Sequence, residues 1–232
     1  MTEFPKKAIL LMGGKGTRMK LKQNKLLLPV NGKTVPEHLI DLFKKYGVKD
    51  LIFSLGFEAE KIKEYYGDGS QYGVNITYVE EKKPLGSAGA IKLAMEDTDE
   101  LFFVTNGDEL KDVNLQEMFE FHNNNHATVT VALTLVDDPS QYGVAIVEDN
   151  KISEFIEKPI KSPSNLINSG LSIWNQEAID LIPEGFSMYE KAVFPKLAEQ
   201  GKLYGYMVNG QWFDIGTKER YETAIKEWRG IS

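Results

Sequence analysis

Short, unbroken apolar runs recur along the chain, and segments of helical periodicity stand between them. Residues 8–12 (AILLM) are continuously apolar and too short for a helix, so they read as a buried strand. Residues 35–46 place Leu39, Ile40, Phe43 and Tyr46 on one helical face, and Gly47 stops that helix. The same reading gives strands at 51–55, 75–79 and 101–105, with helices at 58–66 and 87–95 between them. A helix at 114–122 and a long strand at 128–136 follow. Strand and helix alternating in this way predict parallel strands covered by helices on both faces. Right-handed crossovers then put the strand C-terminal ends along one edge, where ligands bind.

The second half changes character. Residues 144–147 and 151–156 flank Glu148, Asp149 and Asn150 as a hairpin. Another strand is expected at 166–174, then helices at 176–182 and 189–200, strands at 203–208 and 211–214, and a helix at 217–228 capped by Thr217. With no linker or repeat, residues 1–232 read as a single α/β domain. Its sheet is mixed but mainly parallel, flanked by helices, with a β-rich second half.

Charge singles out the segment after the first strand. Gly13, Gly14 and Gly16 are followed by Thr17 and Arg18, among Lys15, Lys20, Lys22 and Lys25. Glycines let the backbone turn and bring N–H groups close to an anion, arginine grips phosphate bidentately, and lysines act as point charges. Residues 1–36 hold eight cations against Glu3 alone, a net of +7; the remainder holds 19 cations and 33 acids, a net of −14. This asymmetry points to local capture of a polyphosphate and away from nucleic acid or an anionic membrane. A plain tight turn is the alternative, since GGKGTR is neither the dinucleotide fingerprint nor the Walker A pattern.

Composition removes several chemistries. The chain has no Cys, so disulfides, thiolate metal sites and cysteine nucleophiles are excluded. With only three His, a zinc hydrolase is not expected. The start MTEFPKK lacks the apolar stretch of a signal peptide, and no run of apolar residues is long enough to span a bilayer, so a cytoplasmic location is expected.

Four further stretches carry candidate chemistry. Asp108 and Asp214 each follow an apolar strand, where an acid can hold a hard cation such as Mg²⁺ or cap a turn. Glu157 and Lys158 would point to opposite faces inside a strand, and share a pocket only if the strand ends there, as Pro159 suggests. Residues 84–89 open a helix with small side chains, which leaves its N–H groups free for a ligand and room for a flat base; close packing on the sheet is the alternative.

Together these stretches resemble the sugar-1-phosphate nucleotidyltransferases. The residues that carry the resemblance are GGKGTR at 13–18, Lys25 with LLPV, PLGSAGA at 84–90, NGD at 106–108, YGV at 142–144, EKP at 157–159, INSG at 167–170 and WFDIGT at 212–217. The resemblance implies a Rossmann-like fold of GT-A type with a sugar-binding second half. It also implies Mg²⁺ as cofactor, and the reaction of an NTP with a sugar 1-phosphate to give an NDP-sugar and pyrophosphate. Carried over, Arg18, Lys25, Asp108 and Lys158 would be catalytic. Met12, Gly13, Gly14, Gly16, Thr17, Glu81, Gly86 and Ser87 would bind nucleotide. Gly143, Glu157 and Asn168 would bind sugar, and Asp108 and Asp214 would hold the metal. The phosphate nucleophile is already anionic, so no general base is needed. The sequence departs from the family in a shorter stretch between Arg18 and Lys25, and in Asn24 where the family usually has proline.

The surroundings look most like the mannose-1-phosphate guanylyltransferase branch. Glu81, as a carboxylate, accepts hydrogen bonds, and guanine offers two adjacent donors. GTP with a mannose- or heptose-type sugar 1-phosphate is therefore favoured over UTP or dTTP, with a solvated Glu81 as the alternative. Two other readings are a cytidylyltransferase acting on an alcohol phosphate and a non-catalytic nucleotide-binding regulator. The oligomeric state is left open: aromatic residues between 204 and 212 could serve the core or a homo-oligomer contact.

Overall fold

The computed structural model of the chain describes residues 2–14, 24–95 and 101–232. Gly16, Thr17 and Arg18, with Lys15, Lys20 and Lys22, lie outside the described residues. The first apolar run forms β1 (Lys7–Met12). A 3-10 turn at Lys25–Leu27 is capped by Asn24, whose side chain accepts from the Leu26 N–H at 3.0 Å. The departure from proline at position 24 thus supplies a cap immediately before Lys25. A small hairpin, β2 (Pro29–Val30) and β3 (Lys33–Thr34), leads into α1 (Val35–Lys45). There Thr34 and Glu37 form a capping box, the Thr34 N–H donating to the Glu37 carboxylate at 2.6 Å.

The alternation then runs β4 (Asp50–Leu55), α2 (Ala59–Tyr66), β5 (Asn75–Glu80), α3 (Gly86–Ala94) and β6 (Phe102–Asn106). A short strand that the sequence pattern does not predict, β7 (Glu109–Lys111), precedes α4 (Leu115–Asn124) and β8 (Val129–Leu135). The hairpin of β9 (Gly143–Glu148) and β10 (Lys151–Glu157) is followed by β11 (Leu166–Trp174). The segment expected as a helix at 176–182 is a tighter 3-10 turn at Gln176–Leu181. The single helix expected at 189–200 is two, α5 (Tyr189–Ala192) and α6 (Phe194–Glu199). Pro195 explains the break: it is tolerated in a first turn but not in a helix interior, so it starts a new helix after Val193. The chain ends in β12 (Leu203–Met207), β13 (Trp212–Asp214) and α7 (Lys218–Glu227), the last capped by Thr217 as expected.

The nine-stranded sheet has the order β5-β4-β1-β6-β11-β8-β12-β10-β9. Strands β5, β4, β1 and β6 are parallel, while β11 runs antiparallel between β6 and β8. Strand β9 pairs back onto β11 through Val144 and Ile167, so the last five strands curl onto themselves. The central strands β1, β4, β6, β11 and β8 are buried on both faces over most of their length, as their apolar runs require, while β5 and β10 expose one face. Along β1, Ala8, Leu10 and Met12 face a core shared with α1, α2 and α4, while Ile9 faces the core under α3 and α6. Register places the ends of β1, β4 and β5 side by side, Met12 opposite Leu55 and Leu55 opposite Glu80, so Gly13, Gly56 and Glu81 leave from one edge.

Among the described residues, no helix is long and apolar enough to cross a membrane. His122 and His126 stand four apart, but they form no ligand pair. His122 is buried, with its ring nitrogens on Thr130 Oγ1 (2.9 Å) and Asn175 Oδ1 (3.0 Å), while His126 is exposed beyond the end of α4. Burial holds the His122 imidazole below its ordinary value of 6.5. The unfolded chain therefore binds a proton there more readily. The stability due to this site is complete above pH 6.5 and declines as pH falls below it. Urea unfolding at pH 7.5 and 5.5 is expected to show a larger loss on acidification in the wild type than in His122→Gln.

Candidate active site

A cavity of about 500 Å³ opens at this sheet edge, and every described candidate from the sequence lines it. At one end Gly13 and Gly14 leave β1 beside Glu81, which leaves β5. Glu80 pairs with Lys63 on the exposed side, whereas Glu81 turns inward and accepts from the Leu85 N–H at 2.7 Å. Its second oxygen lies 3.3 Å from where a Gly13 side chain would begin. Gly86 opens α3 in a left-handed conformation (φ +72°), and a Cβ there would stand 2.5 Å from the Ser187 carbonyl oxygen. That carbonyl accepts from the Ala88 and Gly89 N–H groups. The expectation that the α3 N-terminus leaves its N–H groups free is corrected at these two positions: the loop before α5 occupies them. Ser87 Oγ accepts from the Tyr189 N–H and donates to Glu190 at 2.8 Å. Burial pushes the Glu190 carboxyl up.

At the centre, Asp108 sits in the turn between β6 and β7, and Lys25 forms an ion pair with it. Strand β7 pairs antiparallel with β13, Glu109 opposite Asp214, and the Ile215 N–H donates to the Asp108 carbonyl at 3.2 Å. This pairing brings together two acids more than 100 residues apart in sequence. The Asp214 carboxylate accepts from the Gly216 N–H at 2.8 Å, from the Tyr142 hydroxyl, and from Arg220 Nη1 at 3.2 and 3.3 Å. The Arg220 guanidinium lies over the Tyr142 ring, 4.9 Å from its centroid.

Beneath these acids is a buried ion pair. Lys111 is 1% exposed and donates to Thr105 Oγ1 (2.9 Å) and the Gly170 carbonyl (3.2 Å), with Glu109 at 3.5 Å. Glu109 accepts from Asn106 Nδ2 (2.8 Å) and Trp212 Nε1 (3.3 Å). A Cβ at Gly170 (φ +69°) would stand 2.2 Å from the Glu109 carboxylate, so only glycine fits there. Burial drives the Glu109 carboxyl up against the pull of Lys111, and drives the Lys111 ammonium down.

At the far end, the curled strands bring Gly143 at the start of β9, Glu157 at the end of β10 and Asn168 in β11 to one wall. Strand β10 ends at Glu157, and Lys158 takes a left-handed conformation (φ +48°), its N–H donating to the Tyr142 carbonyl at 3.0 Å. The strand alternation is thereby broken, and Glu157 and Lys158 face the same cavity as an ion pair.

Sequence reasoning missed Glu109, Lys111, Glu190 and Arg220, and used Tyr142 only as part of a motif. The arrangement suits an anionic, polyhydroxylated ligand. Cations stand at three points, two hard acids lie on neighbouring strand ends, and acceptors line the far wall. Two carboxylates are the donor set that Mg²⁺ takes when substrate phosphates and water complete its shell. Among the described residues, no group of three or more His, Cys, Asp or Glu is placed to hold a metal ion without such help.

Residues 7–229 match the family model described as Nucleotidyl transferase. The chain is similar to a mannose-1-phosphate guanyltransferase of Yarrowia lipolytica, at 37% identity over 90% of this chain and 60% of that protein. It is similar to a mannose-1-phosphate guanylyltransferase of Mycobacterium tuberculosis, at 35% identity over 97% of this chain and 65% of that protein. The chain thus spans less than two thirds of the length of these relatives. Among solved structures it is similar to HddC from Yersinia pseudotuberculosis complexed with GMP-PN. That match has a TM-score of 0.82 and 25% identity, covering 96% of this chain and 99% of that one. A UDP-glucose pyrophosphorylase complexed with UDP-glucose shares the fold at a TM-score of 0.81 and 21% identity, covering 96% and 97%.

The buried pair makes a prediction of its own. Lys111→Met leaves the Glu109 carboxylate without its partner, and is expected to cost about 3–5 kcal/mol in denaturant unfolding. The double variant Glu109→Leu with Lys111→Met removes both charges, and is expected to recover most of that loss.

Proposed function

The chain belongs to the nucleotidyl transferase family, and we propose that it transfers the nucleotidyl group of an NTP to a sugar 1-phosphate and releases pyrophosphate. The observation that carries the proposal is the meeting in one cavity of Gly13 and Gly14, strand-end acids with their cations, and a wall of sugar-type acceptors. A phosphate oxygen of the sugar 1-phosphate attacks the α-phosphorus. The bond to the bridging oxygen of the β-phosphate breaks, and pyrophosphate leaves with that electron pair. No proton has to move in this step.

Each end of the cavity has a role in this reading. Gly13 and Gly14 bring backbone N–H groups to the triphosphate, helped by Arg18 of the same motif. Lys25 offsets charge where the two phosphates meet, and Lys158 grips the sugar phosphate. Asp108 and Asp214 would hold Mg²⁺, which when bound supplies charge neutralisation and orientation of the phosphates. Glu157, Asn168 and the Gly143 backbone accept or donate to sugar hydroxyls.

For the base we propose guanine. Glu81 presents an inward carboxylate beside Gly13, and two adjacent donors on guanine suit it. The names of the relatives at 33–38% identity favour mannose 1-phosphate as acceptor. Pyrophosphate release with Mg²⁺, measured across ATP, GTP, CTP, UTP and dTTP and a panel of sugar 1-phosphates, is expected to need GTP and a mannose-type sugar 1-phosphate together. Release with CTP and an alcohol phosphate would replace the sugar reading, and binding without turnover would favour a regulator. Asp108→Asn is expected to lower turnover by about 100-fold or more while the fold is kept. Unchanged turnover would remove Asp108 from the mechanism.

A further inference from the structure

Arg220 is a residue for which neither the motifs nor its local helix accounts. It lies in the first turn of α7, its N–H bonded to the capping Thr217 hydroxyl at 3.3 Å. A cation there opposes the helix dipole, which favours acids at that end. The side chain is instead drawn into the cavity by two contacts. Nη1 donates to both oxygens of Asp214, and the guanidinium plane lies over Tyr142. Among the described residues, the hydrogen bonds of its guanidinium are the two from Nη1 to Asp214. Nε and Nη2 remain, and that pair forms the fork with which arginine grips phosphate.

Tyr142 places this fork. Its ring carries Arg220, its carbonyl accepts from the Lys158 N–H, and the next residue is Gly143 at the sugar wall. One residue therefore holds both a bidentate cation and a point-charge cation on the same side of the cavity. An incoming phosphate dianion has to approach Asp214, Glu157 and a triphosphate together. Lys158 is paired with Glu157 and cannot offset that repulsion alone.

Resting on the nucleotidyl-transfer reading above, we propose that Arg220 is a second substrate-gripping cation, which binds the phosphate of the acceptor sugar alongside Lys158. It is fixed for that task by Asp214 and the Tyr142 ring. Its effect falls on the acceptor, and the NTP binds without it.

The test uses the full chain with Arg220→Gln and Arg220→Lys. Michaelis constants are measured for GTP and for the sugar 1-phosphate that the wild type uses best. Binding of that sugar phosphate is measured by calorimetry in the presence of a non-hydrolysable GTP analogue. Arg220→Gln is expected to weaken sugar-phosphate binding by about tenfold or more and to change GTP binding less than twofold. Arg220→Lys keeps the charge without the fork, and is expected to fall between the two. Equal weakening of both substrates, or loss of turnover at unchanged sugar-phosphate affinity, would reduce Arg220 to a prop for Asp214 and overturn the proposal. If Arg220→Gln does not fold, the folded lysine variant decides: unchanged sugar-phosphate affinity overturns the proposal. Wild-type protein that takes no sugar 1-phosphate overturns this proposal and the functional reading together. Wild-type turnover with unaffected variants overturns this proposal alone.

Discussion

The pairing of β7 with β13 is the constraint from which the cavity follows. Only three residues long on each side, it sets Glu109 opposite Asp214 and ties the Ile215 N–H to the Asp108 carbonyl. So short a ribbon has little stability of its own. What holds it is the charge beneath. Lys111 reaches Thr105 on β6 and Gly170 on β11, while Glu109 takes donors from Asn106 and Trp212. Four strands are joined by one ion pair, with Lys111 fully buried and Glu109 at the floor of the cavity. Such a pair gains little net stability over apolar residues, but breaking it is costly, so its members hold one geometry firmly.

The electrostatics of the cavity follow the same logic of matched charges. Lys25 is set against Asp108, Lys158 against Glu157, and Arg220 against Asp214. The cations are therefore oriented before any substrate arrives, which is the condition under which charge stabilises a transition state most. A reaction between two phosphates needs alignment and relief of anion repulsion, and it needs no nucleophile from the protein. The described residues around the cavity fit that requirement, with acids, cations and amides placed on the ends of rigid strands.

Much of this was legible in the sequence, and the exceptions have physical reasons. The buried strands, and the exit of Gly13 and Gly14 from β1 at the cavity, follow from apolar runs bounded by glycine. Asp108 and Asp214 stand out because each follows an apolar strand, where an acid can hold a hard cation or cap a turn. Glu109 and Lys111 do not stand out, because a charged residue on either side of Leu110 reads as a solvated face; only the fold shows that both are buried. Arg220 carried a faint signal, a cation in a helix turn where an acid is favoured. The break at Val193 was readable from Pro195, which cannot sit inside a helix. The return of β9 onto β11 was not readable, since a single long-range pair leaves no mark on either strand's pattern.

In the proposed reaction both substrates react directly within one cavity, and no nucleotide is left on the protein. Exchange of radiolabelled pyrophosphate into the NTP, measured with protein and Mg²⁺ in the absence of any sugar phosphate, tests it most directly. No exchange is expected until the NDP-sugar is supplied, after which label enters the NTP through the reverse reaction. Label appearing in the NTP without a sugar would reveal a nucleotidylated protein and contradict it.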